Sequence, residues 1–460
     1  MSGCATVGPD YLQPRTRTGS EWRNDLKHDP SAREADPQTL AVWWTTFNDP
    51  ELNSLIERAV KGNLELKKAR SRVREARARR MAAKGGLFPT LDASGTASQS
   101  RSSEETGSGK TVDLFTLGFD ALWEVDLFGG GRRTVEAAEA ALQANQEGQG
   151  DVLVSLLSEM VLNYTEVRTF QARLATAAKN LESQKETYQL TLWRNEAGLI
   201  DELAVQQARY TLENIRSQTP ALRTGLEQAM NRIAVLLGEQ PGEVHRELEG
   251  RKPLPVPPLE LAVGVPADVL RRRPDIRRAE RELAAQTARI GAAKAELYPK
   301  LKLSGSIGLE AFGLGNLFSL GSRTMTGGLG ISWPIFHAGV LRQNVEIQSA
   351  LQEQAFLSYE AAVLTALEET ENALKSYAEE HSRYKSLKET IMAAEKVVNL
   401  TREKFQAGLT DFGQVLEAQL ILWSFQDQRI ISQGSLSSGL VRIYKALGGG
   451  WESWGLEEIK

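Results

Sequence analysis

A gapless internal repeat constrains this chain more than any other feature of its 460 residues. "EAGLID" at Glu196–Asp201 returns as "QAGLTD" at Gln406–Asp411, 210 positions later. The same offset aligns Leu87-Phe88-Pro89 with Leu297-Tyr298-Pro299, and Ser94-Gly95 with Ser304-Gly305. It also aligns Trp123 with Trp333, Gly129 with Gly339, and Leu237-Gly238 with Leu447-Gly448. The repeat covers at least Leu64–Gly238 and Pro274–Gly448. A duplicated sequence implies a duplicated structural unit, so a reading of one copy is tested by the other. The intervening Gly238–Pro266 carries "RKPLPVPPLELAVGVP" and reads as an extended connector with limited secondary structure. The chain therefore divides into an N-terminal segment with a first helix (4–62), a first repeat (63–238), a Pro-rich linker (239–266), a second repeat (267–448) and a tail (449–460).

Within each copy the hydrophobic period changes. After Pro89, Leu91, Ala93, Gly95 and Ala97 alternate with Thr90, Asp92, Ser94, Thr96 and Ser98. Further on, Leu117, Phe119, Ala121, Trp123 and Val125 alternate with Thr116, Asp120, Glu124 and Asp126, broken once by Leu122. In the second copy Leu301, Leu303, Ile307 and Leu309 alternate with Lys302, Ser304, Ser306 and Glu310. Leu329, Ile331, Trp333 and Ile335 form the last apolar row. A period of two predicts strands with one apolar face, at about 89–101, 112–127, 299–312 and 323–336. The loops within each pair, "SRSSEETGSGK" and "GLGNLFSLGSR", are polar or Gly-rich.

Elsewhere the period is close to 3.5. Leu153, Leu157, Met160, Tyr164, Val167, Gln171, Leu174, Ala178, Leu181, Lys185, Tyr188 and Leu192 form a 4-3 ladder in the first copy. Val363, Leu367, Leu374, Tyr377, Tyr384, Ile391, Val398 and Phe405 continue it in the second. This is the spacing of a coiled-coil seam. It predicts helices at about 132–195 and 201–237, and at 340–406 and 411–447. The first would be ~95 Å long at ~1.5 Å per residue, with Gly148 and Gly150 as candidate kink points. Gly198 and Gly408 stand where a helix-ending glycine belongs, and Asp201 and Asp411 where an N-cap belongs. The repeated phrase is then a helical hairpin turn.

Composition narrows the function. Hydrophobic content of 41% and charged content of 25% belong to folded proteins. A formal net charge of −4 lacks the basic excess of a nucleic-acid binder. The single cysteine, Cys4, excludes a disulfide framework or thiolate metal cluster. His28, His245, His337 and His381 have no ligand-like spacing, and no nucleophile elbow or phosphate loop is present. The expectation is neither an enzyme nor a metal or cofactor protein. No stretch approaches the ~20 apolar residues of a transmembrane helix. The basic run Lys67–Arg80 reads as a solvated helix face.

The strands change the membrane reading. Four per chain are too few to close a wide barrel, and open edges invite pairing. Several chains side by side could close one shared β-barrel and one shared helical tube. Odd-numbered strand residues would then face lipid and even-numbered ones a watery lumen, the weak alternating signal of a transmembrane barrel. Asp120, Glu124, Asp126 and Glu310 are the candidate lumen charges. Trp123 and Trp333 fit either an interfacial aromatic belt or packing at the strand–helix junction.

Four blocks in order then carry a resemblance: "GCATVGPDYLQP" (Gly3–Pro14), "WWTTFNDPELNSLIERAVKGNLEL" (Trp43–Leu66), "LRRRPDIRRAE" (Leu270–Glu280) and "YKALGGGW" (Tyr444–Trp451). Across nearly its whole length the chain resembles the outer-membrane efflux proteins, TolC-like, in the lipoprotein branch serving resistance-nodulation-division pumps. The resemblance implies a mainly α fold with a transmembrane β-barrel. It implies a homotrimer sharing a 12-stranded barrel and a long periplasmic α-helical barrel. Lipidation of Cys4 would anchor the chain in the outer membrane. The function implied is the passive exit duct of a tripartite pump, with a periplasmic adaptor and an inner-membrane pump as partners.

By the same resemblance, Gly198, Leu199, Asp201, Gly408, Leu409 and Asp411 form adaptor-docking tips. Gln414 and Glu417 occupy the periplasmic gate, three apart on one helical face. Three copies of Glu417 would make an acidic ring. Gln414 departs from relatives with a second acid there, and Phe405 from those with a tyrosine that ties the tip shut. Ala204 and Gln207 stand at the matching places of the first copy, which assigns the gate to the second. Glu417 also reads as an ordinary solvated helix charge. The rival functions are the outer-membrane channel of a type I secretion system and a non-conducting periplasmic coiled-coil scaffold.

Overall fold

The computed structural model describes residues 6–14, 22–23, 40–255 and 271–454. Cys4 and part of the 239–266 linker lie outside them. The elements are α1 (Pro50–Gly62), α2 (Leu64–Gly85), β1 (Thr90–Arg101), β2 (Thr111–Val125), α3 (Gly130–Glu196) and α4 (Glu202–Leu237). A single-turn α5 (His245–Leu248) lies in the linker, followed by α6 (Pro274–Ala295), β3 (Lys300–Ala311), β4 (Arg323–Ser332), α7 (Val340–Gln406) and α8 (Phe412–Ala446). Shifted by the repeat offset, α2, β1 and α3 fall on α6, β3 and α7 residue for residue. Gly148 and Gly150 do not interrupt the α3 hydrogen-bonded helix.

Two strand ends differ from the sequence expectation. β4 stops at Ser332 and not near 336, because Pro334 lacks the N–H that a ladder needs. Trp333 and Ile335 therefore lie beyond the strand. β2 stops at Val125, which leaves Asp126 outside it.

The sequence repeats are not the packing units. One compact unit takes residues 1–16, 71–146 and 277–361, and the other takes 17–70, 147–276 and 362–460. Both halves of the chain contribute to each, because β2 of the first repeat pairs with β3 of the second.

The first unit holds a four-stranded antiparallel meander in the order β1-β2-β3-β4. Its register pairs Leu91 with Ala121, Phe119 with Ile307, and Leu303 with Leu329. Every cross-strand pair joins two odd or two even residues. The odd face is apolar or glycine over 91–97, 115–125, 301–311 and 325–331 but carries Gln99, Arg101, Thr111, Asp113 and Arg323 at the loop ends. The even face is polar or glycine apart from Val112, Leu114 and Leu122. On the polar face Ser94 Oγ donates to Asp120 (2.8 Å), and Thr96 and Thr116 share a hydroxyl bond. Near the strand ends the indole N–H of Trp123 donates to Leu87 O (3.0 Å) and that of Trp333 to Leu297 O (3.1 Å). Helix packing in this unit uses small residues, with Ala140 of α3 against Ala284 and Ala285 of α6.

Residues 6–14 form a strap across this unit. Val7 N donates to Phe128 O (3.1 Å), and Arg133 donates to Val7 O (3.2 Å) and to Asp10 (2.6 Å). Tyr11 OH donates to Glu280 (2.7 Å). At Gly8, φ is +96° and an added Cβ would lie 2.4 Å from Gly291 Cα. Two glycines thus permit the close approach.

The second unit holds the main core. Trp43, Phe47, Leu52, Leu55 and Ile56 pack with Leu157, Met160 and Tyr164 of α3, Ile233 of α4, Leu374 of α7 and Leu440 of α8. Trp43 stacks on Tyr444 at 5.1 Å. Asp49 has two roles: Oδ1 caps α1 by accepting from Glu51 N (3.0 Å), and Oδ2 accepts from Tyr164 OH. Arg168 is 0% exposed and donates to Glu51, Tyr164, Gln171 and Gly250 O. Arg273 donates to Asp275, Glu369 and Ala446 O. The "WWTTF", "RRRPD" and "YKALGGG" blocks are therefore parts of one packed belt.

Candidate functional site

Both tips are built the same way. Gly198 N donates to Asn195 O (2.8 Å) and Leu199 N to Arg194 O (2.9 Å). Gly408 N donates to Phe405 O (3.0 Å) and Leu409 N to Lys404 O (2.8 Å). These are paired 5→2 and 6→1 bonds, the Schellman way of ending a helix. It needs a left-handed residue, and Gly198 and Gly408 have φ of 70° and 71°. Three residues on, Asp201 caps α4 by accepting from Ala204 N (3.1 Å), and Asp411 caps α8 by accepting from Gln414 N (3.0 Å). A Schellman turn usually tucks its next apolar residue back onto the helix. Here Leu199 is 73% exposed and Leu409 is 76% exposed.

The tips differ in their braces. In the first, Asn195 Nδ2 donates to Ile200 O (3.0 Å). The equivalent residue of the second is Phe405, whose ring meets Phe412 at 5.1 Å. There Thr410 Oγ1 donates to Gln414 Oε1 (2.7 Å), so Gln414 is held by the turn. Glu417 lies one turn further along α8, exposed, as does Gln414. The two hairpins also touch. Arg194 of α3 lies 5.4 Å from the Phe405 ring centroid, and a Cβ at Gly413 of α8 would meet Gln207 of α4 at 2.8 Å. Sequence reading missed Arg194, Asn195 and Thr410, since their roles depend on what faces them.

The polar strand face is less acidic than the sequence suggests. Asp120 and Glu310 lie on it, beside Ser94 and opposite Thr116 respectively. Glu124 stands directly across from Lys302, with Lys302 Nζ at 3.8 Å and Lys300 Nζ at 3.9 Å. Asp126 is not a strand residue. Its carboxylate accepts from Gly131 N (3.2 Å) and Arg132 N (2.9 Å) and so caps the start of α3. A period-two pattern carried one step too far placed it on the strand. Asp92, paired with Asp120, is a further carboxylate on this face.

The helical seam largely holds in α7, where Val363, Leu374, Tyr377, Ile391 and Val398 are buried and Leu367, Tyr384 and Phe405 are half-buried. In the far half of α3 it shifts by one residue. Ala177, Gln184 and Thr191 are buried there, while Ala178 and Lys185 are exposed. Among the described residues no helix is long and apolar enough to cross a membrane.

Comparison with known proteins gives this geometry a family. The protein-family model for "Outer membrane efflux protein" matches residues 55–239 and again 265–449. The chain is 32% identical over 432 residues to nodulation protein T of Rhizobium leguminosarum bv. trifolii, covering 91% of this chain and 88% of that one. It is 31% identical over 471 aligned positions to the pyoverdine export outer membrane protein OpmQ of Pseudomonas aeruginosa, covering 98% and 96%. The solved structure of the outer-membrane channel OprN matches with a TM-score of 0.92 at 36% identity, over 97% of this chain and 100% of that one. With each half matched separately and a solved channel reproduced along almost the full length, this chain belongs to the outer membrane efflux protein family.

Proposed function

We propose that three copies of the chain form the outer-membrane exit duct of a tripartite efflux pump. The observation that carries this reading is the meander. Its strands share an apolar face over 91–97, 115–125, 301–311 and 325–331, and its outer strands β1 and β4 have unpaired edges within the chain. Three copies of a four-stranded sheet would pair these edges in one 12-stranded barrel, apolar face to lipid. At ~3.3 Å per residue and a tilt of ~40°, the row from Phe115 to Val125 spans about 25 Å, the height of an outer-membrane apolar band. The helices would continue the duct into the periplasm as a shared α-helical barrel. Residues 63–238 and 267–448 are the two duplicated halves, joined by 239–266.

The tips are the proposed docking points for a periplasmic adaptor. Gly198, Asp201, Gly408 and Asp411 fix the turns, and exposed Leu199 and Leu409 offer an apolar contact. Gln414 and Glu417 are the proposed gate, with Glu417 supplying an acidic ring selective for cations. Asp120 and Glu310 would line the lumen, with Glu124 offset by lysines. Acylation of Cys4 would anchor the chain in the outer membrane. In support, Thr6 packs against Gly129, just past the end of β2. The inner-membrane pump would supply energy and choose the substrate.

A planar-bilayer recording of the purified protein tests the duct. Cation-selective steps, larger in Glu417→Gln, are expected. Silence in both proteins, with cross-linking that yields no trimer, would support the scaffold instead. Co-purification of the inner-membrane partner separates an efflux pump from a polypeptide-secreting assembly.

A further inference from the structure

A cavity of about 160 Å³ lies among the long helices of the second unit. Its wall includes Asn180 and Gln184 of α3, Ile215 of α4, Val398 and Arg402 of α7, and Trp423 of α8. Gln184 is only 4% exposed, and its Nε2 has no hydrogen-bond partner. Nor does Nδ2 of Asn180, one helical turn earlier. Buried donors in native proteins nearly always have an acceptor, so a pair left open onto one cavity points to an occupant that supplies oxygens. No aspartate or glutamate lines the cavity, so the Arg402 guanidinium adds positive charge that nothing in the wall offsets. Ile215, Val398 and Trp423 give an apolar surface beside these groups.

We propose that this cavity binds a small amphipathic carboxylate. Its oxygens would accept from the Asn180 and Gln184 amides and pair with Arg402, and its carbon body would lie against Trp423 and Ile215. Charge-assisted bonds of this kind are the strong ones, and guanidinium suits carboxylate in shape. Drug-sized ligands take cavities of about 300–1,000 Å³, so the occupant is smaller than such a ligand and distinct from cargo in the duct. Because all four long helices contribute to the wall, a bound carboxylate ties the α3–α4 hairpin to the α7–α8 hairpin. It acts as a staple between them. That consequence rests on the tips being a gate, whereas the binding itself does not.

The test uses the purified full-length protein in detergent, with 4-fluorobenzoate followed by fluorine NMR. Saturable binding is expected. Arg402→Gln and Gln184→Leu should each weaken it about tenfold or more, as loss of a charge-assisted or buried hydrogen bond does. Arg402 is exposed, so its replacement leaves the fold intact, which a thermal melt verifies. Neutral 4-fluorotoluene should bind at least about tenfold more weakly than the acid. Three results would overturn the proposal: no saturable binding, wild-type affinity in either variant, or equal affinity for toluene and acid. Crystals soaked in 4-bromobenzoate should place the bromine near Trp423, and ordered water alone in the cavity would also overturn it. None of these readings depends on conductance, so they fail separately from the channel.

Discussion

The guanidinium of Arg194, at the end of α3, lies 5.4 Å from the ring centroid of Phe405, at the end of α7. It is a direct link between the two hairpin tips. Phe405 in turn packs on Phe412 at the start of α8. Phe405 is half-buried; a cation–π contact near the surface is worth ~0.5–1 kcal/mol and an aromatic pair ~0.5–1.5 kcal/mol. Arg194→Ala should therefore loosen the tips modestly and Phe405→Ala more. The expected outcome in bilayer recordings is more frequent opening, in the order Phe405→Ala, Arg194→Ala, wild type. Unchanged opening in both variants would show that this link does not hold the gate.

The tip glycines have φ near +70° and nothing within 4 Å of an added Cβ. The cost of Gly408→Ala is thus conformational only, about 1–2 kcal/mol. Gly408→Asn should cost less, since asparagine tolerates the left-handed region. Gly408→Pro cannot adopt a positive φ. Trimers should survive all three changes, while recovery of a co-expressed adaptor falls in the order Asn, Ala, Pro. Wild-type recovery with Pro would count against docking at this turn.

Glu124 and Asp126 should behave differently despite being two residues apart. Glu124→Gln leaves Lys302 without its partner across the strands, while Lys300 keeps Glu296, so the reversal potential of the duct should move toward anions. Asp126→Asn should leave selectivity alone. It weakens a helix cap, with a stability loss of about 1 kcal/mol or less, since asparagine also caps. A selectivity change from Asp126→Asn equal to that from Glu124→Gln would return Asp126 to the lumen.

Arg168 is fully buried and satisfies Glu51, itself nearly buried. Arg168→Met would leave that carboxylate with only the part-exposed Lys252 as an ion-pair partner, a loss of about 3 kcal/mol or less. The melting temperature should fall sharply, and Glu51→Gln in the same chain should recover part of it. An additive double variant would mean that the pair is not coupled.

Alkaline pH should destabilise the protein through its phenols. Burial first, then the hydrogen bond to Asp49, raises the Tyr164 pKa above its ordinary 10.0. Burial also raises Tyr444. A raised folded pKa gives stability that is complete below the unfolded value and is lost as pH climbs toward the folded one. Melting temperature should therefore hold to about pH 10 and then drop. Tyr164→Phe should start lower, because Asp49 loses a donor, and fall less steeply above that pH. An identical slope would show that Tyr164 does not carry the effect.

Much of this fold follows from local pattern. The repeat offset fixes the order of elements, and most of the α7 ladder is buried. Glycine and aspartate at fixed spacing fix both turns, because left-handed φ and helix capping are decided within a few residues. Strand parity is also local, since each side chain's face depends only on its count along the strand. Tertiary structure alone decided the rest. It joined the repeats through β2 and β3, turned Asp126 from a strand charge into a helix cap, and set Lys300 and Lys302 beside Glu124. It shifted the α3 seam onto Ala177, Gln184 and Thr191, and so left two amide donors facing a cavity. It made Phe405 and Asn195, equivalent in sequence, braces of different kinds. Each of these depends on which side chain arrives from a distant segment, and the periodicity of a single element carries no record of its neighbours.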